Sequence, residues 1–113
     1  MIDLEQMAKE HENLFPNATL ESQVWKLEEE ISEFFDAPKC DKIKELADIV
    51  IVLGGLYRWC PIVSDNFFDG LTCMDYNWSL VEEEVNRKWQ INLKRKWEWN
   101  GKTYKHIGKD GNE

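Results

Sequence analysis

Apolar residues along this chain recur mainly at intervals of three and four, the period of an α-helix rather than of a strand. Leu4, Met7 and Leu14 predict a short first helix over residues 3–14, ended by the Asn13 to Asn17 segment with Pro16 inside it. A second helix is expected from Thr19, capped by Asn17 or Thr19, with Leu20, Val24, Leu27, Ile31 and Phe34 as its core-facing stripe. Asp36-Ala37-Pro38 stops it, because the residue before proline is pushed out of the helical region and proline suits the next first turn. The third helix is expected from Pro38 to Trp59. Its Ile49-Val50-Ile51-Val52-Leu53 run is apolar and β-branched enough for a buried strand, but nothing breaks the pattern from Lys39 to Leu53 and a strand would lack a partner. Gly54-Gly55 costs about 1 kcal/mol per glycine in helix propensity, which marks a close neighbour or a kink.

Residues 60–77, rich in Ser, Asp, Asn and Gly, read as connection, with Phe67, Phe68, Leu71 and Met74 covering the core or a partner subunit. A last helix begins at Trp78 or Ser79, and Glu82, Glu83 and Glu84 suit its first turns through the helix dipole. Val81, Val85, Lys88, Asn92 and Arg95 fall within about 80° of one another, a stripe that begins apolar and turns cationic. Trp97 to Tyr104 alternates around Asn100-Gly101, the signal for a tight hairpin that packs its tryptophans on the helices. The fold expected is all-α: an antiparallel bundle of about four helices with a small C-terminal hairpin. A single domain is expected over residues 1–107, with residues 108–113 expected to be a loose tail. A third helix apolar on every side needs cover that so short a chain supplies incompletely, so a homodimer or dimer of dimers is expected to complete the bundle.

Charge sharpens this picture. With 14 Lys and Arg against 22 Asp and Glu the formal charge is −8, which opposes nucleic-acid binding and recruits no anionic membrane. The excess is uneven: residues 1–48 hold 13 acids and 5 bases, whereas residues 86–109 hold 8 bases and one acid, Glu98. Three scattered cysteines with no Cys-x-x-Cys pair indicate neither a disulfide framework nor a zinc site, and with no signal-peptide pattern the expected compartment is the reducing cytoplasm.

The candidate chemistry lies in two carboxylate pairs. Glu30 with Glu33, and Glu45 with Asp48, are each spaced i,i+3 and so adjoin on one helix face. Glu30 and Glu33 flank the second helix's stripe on one side, about 60° and 120° from Leu27, while Glu28 reads as solvated. Glu45 lies in line with Ile49, Val52 and Leu56, with Asp48 on the adjoining row, where an uncompensated carboxylate is costly. A hard cation such as Mg²⁺, or Mn²⁺, would remove that cost. His11 reads as an exposed or partly buried surface histidine, since no acid stands at a metal-motif spacing from it. A di-iron bundle is disfavoured because neither His11 nor His106 follows an acid by three residues. An acidic interaction protein, an inhibitor or nucleic-acid mimic, is the alternative to an enzyme; it explains the net charge but not acids on an apolar face.

Glu29-Glu30-Ile31-Ser32-Glu33, a spacer, then Glu45-Leu46-Ala47-Asp48, preceded by Trp25-Lys26-Leu27, resembles the mark of the MazG-like all-α nucleotide pyrophosphohydrolases. Lys88-x-x-x-Asn92-x-x-Arg95-x-Trp97 is similar to that family's later basic segment. The resemblance covers roughly residues 19–58 and 81–107. It implies cleavage of NTPs or dNTPs to the monophosphate and pyrophosphate. It further implies Mg²⁺ at Glu30, Glu33, Glu45 and Asp48, Glu29 and Glu30 as catalytic residues, and phosphate binding by Lys88, Asn92 and Arg95. Pockets completed by a neighbouring chain are also implied, with the basic segment of one chain able to serve the carboxylates of another.

Overall fold

The computed structural model describes residues 1–107, so the expected tail at 108–113 lies outside the described residues. Helices α1 (Leu4–Leu14), α2 (Leu20–Asp36), α3 (Lys42–Leu56), α4 (Pro61–Thr72) and α5 (Trp78–Lys94) precede an antiparallel hairpin of β1 (Lys96–Trp99) and β2 (Tyr104–Ile107). The chain is thus mostly helical, with five helices rather than about four. Local chemistry explains most ends. Asp3 accepts a hydrogen bond from the Gln6 amide, Thr19 and Ser22 form a reciprocal capping box, and Asn77 accepts from the Ser79 and Leu80 amides. At its other end α2 is closed by Lys42, whose ammonium donates to the carbonyls of Phe34 and Phe35.

Helix α3 is the central element and packs on α1, α2, α4 and α5. Its Leu46, Ala47, Val50 and Leu53 are fully buried, together with Val81 and Val85 of α5. Each such leucine contributes about 1.5–3 kcal/mol of burial, enough to hold the β-branched run helical against its strand propensity. The helix is shorter than expected: a 3₁₀ turn, Lys39–Asp41, precedes it, and turn structure follows Leu56. The glycine pair is explained by close approach. A Cβ on Gly54 would stand 2.9 Å from the Met7 Cβ of α1, and one on Gly55 would stand 2.5 Å from Gln23 Oε1 and 2.6 Å from His11 Nε2.

Two larger expectations also need correction. Residues 61–72 are not connection but helix α4, started by Pro61 at its first position and tied down by buried Ser64, whose hydroxyl donates to the Leu53 carbonyl at 3.0 Å. Its Ser, Asp, Asn and Gly residues mimic turn chemistry, while Phe67, Phe68 and Leu71 supply the packing that overrides propensity. The second correction concerns the stripe on α2. Phe34 is buried and Leu27 and Ile31 are half-buried, but Leu20 and Val24 are 36% and 41% exposed. Ser22 and Gln23 are buried in their place, because this end of α2 turns its polar side towards His11 and Gly55.

The hairpin also differs in detail. Trp99 pairs with Tyr104, so the loop has four residues rather than a two-residue Asn-Gly turn. Only Gly101 takes a positive φ; Asn100 instead accepts from the amides of Lys102 and Thr103, whereas a two-residue type I′ turn needs positive φ at both centres. The hairpin docks through Tyr104, which accepts from the Asn17 amide, and through Trp97, which packs edge-on against Phe15 and donates to the Asn92 carbonyl. Among the described residues no helix is long and apolar enough to cross a membrane, and Cys40, Cys60 and Cys73 are free.

Candidate metal and ligand site

Helices α2 and α3 bring the two carboxylate pairs face to face. Ligand oxygens of Glu30, Glu45 and Asp48 lie within 4.8 Å of one another, and those of Glu29, Glu30 and Glu33 form a second triad that shares Glu30. All five acids named from the sequence therefore meet around one residue. Glu30, Glu45 and Asp48 are half-buried, while Glu29 and Glu33 are exposed at the rim. Glu29 stands 3.8 Å from Lys26.

This crowding has an electrostatic signature. Burial, and then the charges of Asp48 and Glu33, push the Glu30 carboxyl up from the usual 4.5 to about 8. Glu45 is raised for the same reasons, opposed by the ammonium of Lys88. Glu30 Oε2 and Glu45 Oε2 are buried without a hydrogen-bond partner among the described residues. Orphaned oxygens on converging carboxylates, with hard oxygen donors only, fit a hard divalent cation, and Glu30, Glu45 and Asp48 are the residues that would hold it.

Helix α5 supplies the cationic side. Lys88 donates to Asp48 Oδ1 at 2.9 Å and to the Lys44 carbonyl at 3.0 Å. Asn92 and Arg95 line a cavity of about 250 Å³ that Glu30 and Asp48 also line, so the polar end of the apolar-to-cationic stripe shares this cavity with two of the acids. One chain joins the basic segment to its own carboxylates.

The far part of this cavity was missed in the sequence. His11 is not a surface histidine: it is 5% exposed, tilted against Phe15, and held by Arg58, whose Nη1 lies 3.0 Å from its Nδ1. Burial and the nearby Arg58 charge lower it to about 3, so the ring is neutral. Gln23, 7% exposed, hydrogen-bonds to it. The available clue was Gly55, whose missing side chain makes room for both. Comparison of the chain with protein-family models, with curated proteins and with solved structures finds no match.

Proposed function

We propose that the protein hydrolyses nucleoside triphosphates, NTP or dNTP, to the monophosphate and pyrophosphate, as the resemblance to MazG-like enzymes implies. The observation that carries this reading is the Glu30–Glu45–Asp48 cluster, of which Glu30 and Asp48 line a cavity together with Asn92 and Arg95. Anion-binding groups beside converging carboxylates suit a ligand that is itself a metal-bound polyphosphate. Mg²⁺ or Mn²⁺ at Glu30, Glu45 and Asp48, with Glu33 adjoining, would lower the pKa of a water and neutralise phosphate charge. Lys88, Asn92 and Arg95 hold phosphate oxygens and offset charge on the leaving pyrophosphate. Glu29, at the rim, orients the attacking water and takes its proton as the bond between the α-phosphorus and the bridging oxygen breaks. An acidic interaction protein remains the second reading, but it assigns no use to buried carboxylate oxygens left without partners. Incubation of the protein with a panel of NTPs and dNTPs and Mg²⁺ is expected to release monophosphate and pyrophosphate in equal amounts, abolished by chelation. Release of orthophosphate alone, or of nothing from any nucleotide, would refute the reading.

The same proposal includes assembly in the cytoplasm as a homodimer or dimer of dimers. Support comes from the outer side of α2, where Leu20, Val24, Trp25 and Phe35 are between 36% and 71% exposed on one helix. Exposed apolar surface of this kind is the surface that self-association covers. Light scattering at micromolar concentration is expected to give at least twice the chain mass; a fully active monomer would sink the idea.

A further inference from the structure

The cavity ends in a directional chain of hydrogen bonds. Arg58 has only donors, so the 3.0 Å contact from its Nη1 makes His11 Nδ1 an acceptor. A neutral imidazole carries one proton, which must then sit on Nε2. Nε2 faces Gln23 Oε1, since both crowd the same point beside Gly55 and the two side chains are hydrogen-bonded. The Gln23 carbonyl is thereby used as an acceptor, and its amino group is the part left to face elsewhere. One of its two N–H bonds has Ser22 Oγ at a long 3.5 Å. The other is available to the cavity that Gln23 lines.

Distance along the helices says what reaches it. Gln23 and Glu30 are seven residues apart on α2, about 10 Å, and Asp48 and Gly55 are separated by the same step on α3 in the opposite direction. The cavity therefore has a carboxylate end and an amide end two helical turns apart. That span matches the reach of a nucleotide from its 5′-phosphate, across the sugar, to the base substituent opposite the glycosidic bond. The volume, about 250 Å³, falls just below the roughly 300–1,000 Å³ of pockets that enclose drug-sized ligands, so it suits one heterocycle with its sugar and first phosphate, the outer phosphates of a triphosphate reaching beyond it. Phe15, Trp97 and Tyr104 give it aromatic walls.

We infer that Gln23 is a specificity residue, oriented by Arg58 through His11, that offers an N–H donor to the base and so selects keto bases (uracil, thymine, guanine) over amino bases. This rests on the nucleotide reading of the site and deepens it. A carbonyl at the far position accepts from Gln23, whereas the amino group of cytosine or adenine brings donor against donor. Leaving buried donors unpaired is the strongest available basis for rejecting a near-isosteric ligand.

The test uses metal-free protein and nucleoside monophosphates, followed by the fluorescence of Trp89 and Trp97, which line the cavity. UMP is expected to bind at least tenfold more tightly than CMP. Gln23→Glu, which keeps an acceptor for His11 but offers the base no donor, should abolish or reverse that ratio. Arg58→Met, which frees the histidine to change tautomer, should bring the ratio towards one. The ¹⁵N spectrum of His11 in the parent protein, a readout that needs no variant to fold, should show the proton on Nε2. Equal binding of UMP and CMP, binding of neither up to millimolar concentration, a ratio unmoved by Gln23→Glu, or a proton on Nδ1 would overturn the inference. A protein that prefers UMP yet releases no pyrophosphate refutes the hydrolysis reading alone, and one that hydrolyses all bases equally refutes this inference alone.

Discussion

Glu30→Gln is expected to make the metal-free protein more stable at pH 8 while lowering pyrophosphate release by roughly a hundredfold to a thousandfold, the loss typical of removing one group that stabilises transition-state charge. The stability half follows from proton linkage. Held at about 8 by burial and by Asp48 and Glu33, the folded Glu30 carboxyl keeps a proton that the unfolded chain releases near pH 4.5. Its favourable contribution is therefore complete below pH 4.5 and is lost as pH rises to 8. Because the side chain is only partly buried, solvent screening reduces the span to about 2 kcal/mol, roughly 8 °C in melting temperature for a chain of this length. Glutamine stays neutral throughout, so the variant should match the parent near pH 4.5 and melt several degrees higher at pH 8. Addition of Mg²⁺ reverses the order, since the parent gains stability by binding and the variant has lost a central ligand. Calorimetric melting at the two pH values, with chelator and with Mg²⁺, checks all four combinations. Parent and variant curves that superimpose with chelator would show that Glu30 is not electrostatically strained, and equal responses to Mg²⁺ would remove it from the metal site.

What could be read in the sequence was whatever repeats with a helical period or stands in a fixed spacing. Glu45 and Asp48 were legible because acids sharing a helix face with Ile49 and Val52 are costly there unless compensated, and Glu30 by its i,i+3 spacing from Glu33 beside the α2 stripe; the structure brings ligand oxygens of Glu30, Glu45 and Asp48 within 4.8 Å of one another. The cationic turn of α5 was legible for the same reason: Val81 and Val85, fully buried, fix the face on which Lys88 and Asn92 must emerge. Helix α4 was hidden because Ser64, Asp65, Asn66 and Gly70 carry turn propensity, and what overrides it is tertiary: the packing of Phe67, Phe68 and Leu71 on the core and the hydrogen bond from Ser64 to α3. The amide end of the cavity was hidden more deeply. His11, Gln23 and Arg58 lie on three segments far apart in sequence, and no local pattern marks a polar residue as buried when its partners arrive only on folding. Leu20 and Val24 show the reverse: their period is helical, yet the side chosen for the core is set by the polar contacts of Ser22 and Gln23.

Metal affinity and nucleotide affinity are expected to move in opposite directions on Lys88→Met. The ammonium lies 2.9 Å from Asp48 Oδ1 and favours ionised Glu45, so it neutralises in part the charge that a cation would meet there. Removing it leaves the carboxylates more negative. Their proton affinity rises too, but a divalent ion gains about twice what a proton gains from losing the same repulsive charge. At pH 8 the net result should be Mn²⁺ binding tighter by about tenfold in the absence of nucleotide, measured by calorimetric titration. Methionine retains most of the apolar stem against α3, so the cost to folding is confined to the hydrogen bonds made by the ammonium, about 1 kcal/mol at a partly exposed position. Nucleotide hydrolysis should respond the other way. On the proposed reading the ammonium beside Asp48 would also meet the phosphates of a metal-bound nucleotide, and its loss should lower kcat/KM by roughly a hundredfold, about 2.7 kcal/mol of transition-state stabilisation. If both affinities fall together, Lys88 is a brace between α5 and α3 that holds the carboxylates in register. Tighter metal binding with weakened turnover is the pattern that only a charge shared between cation site and substrate site can give.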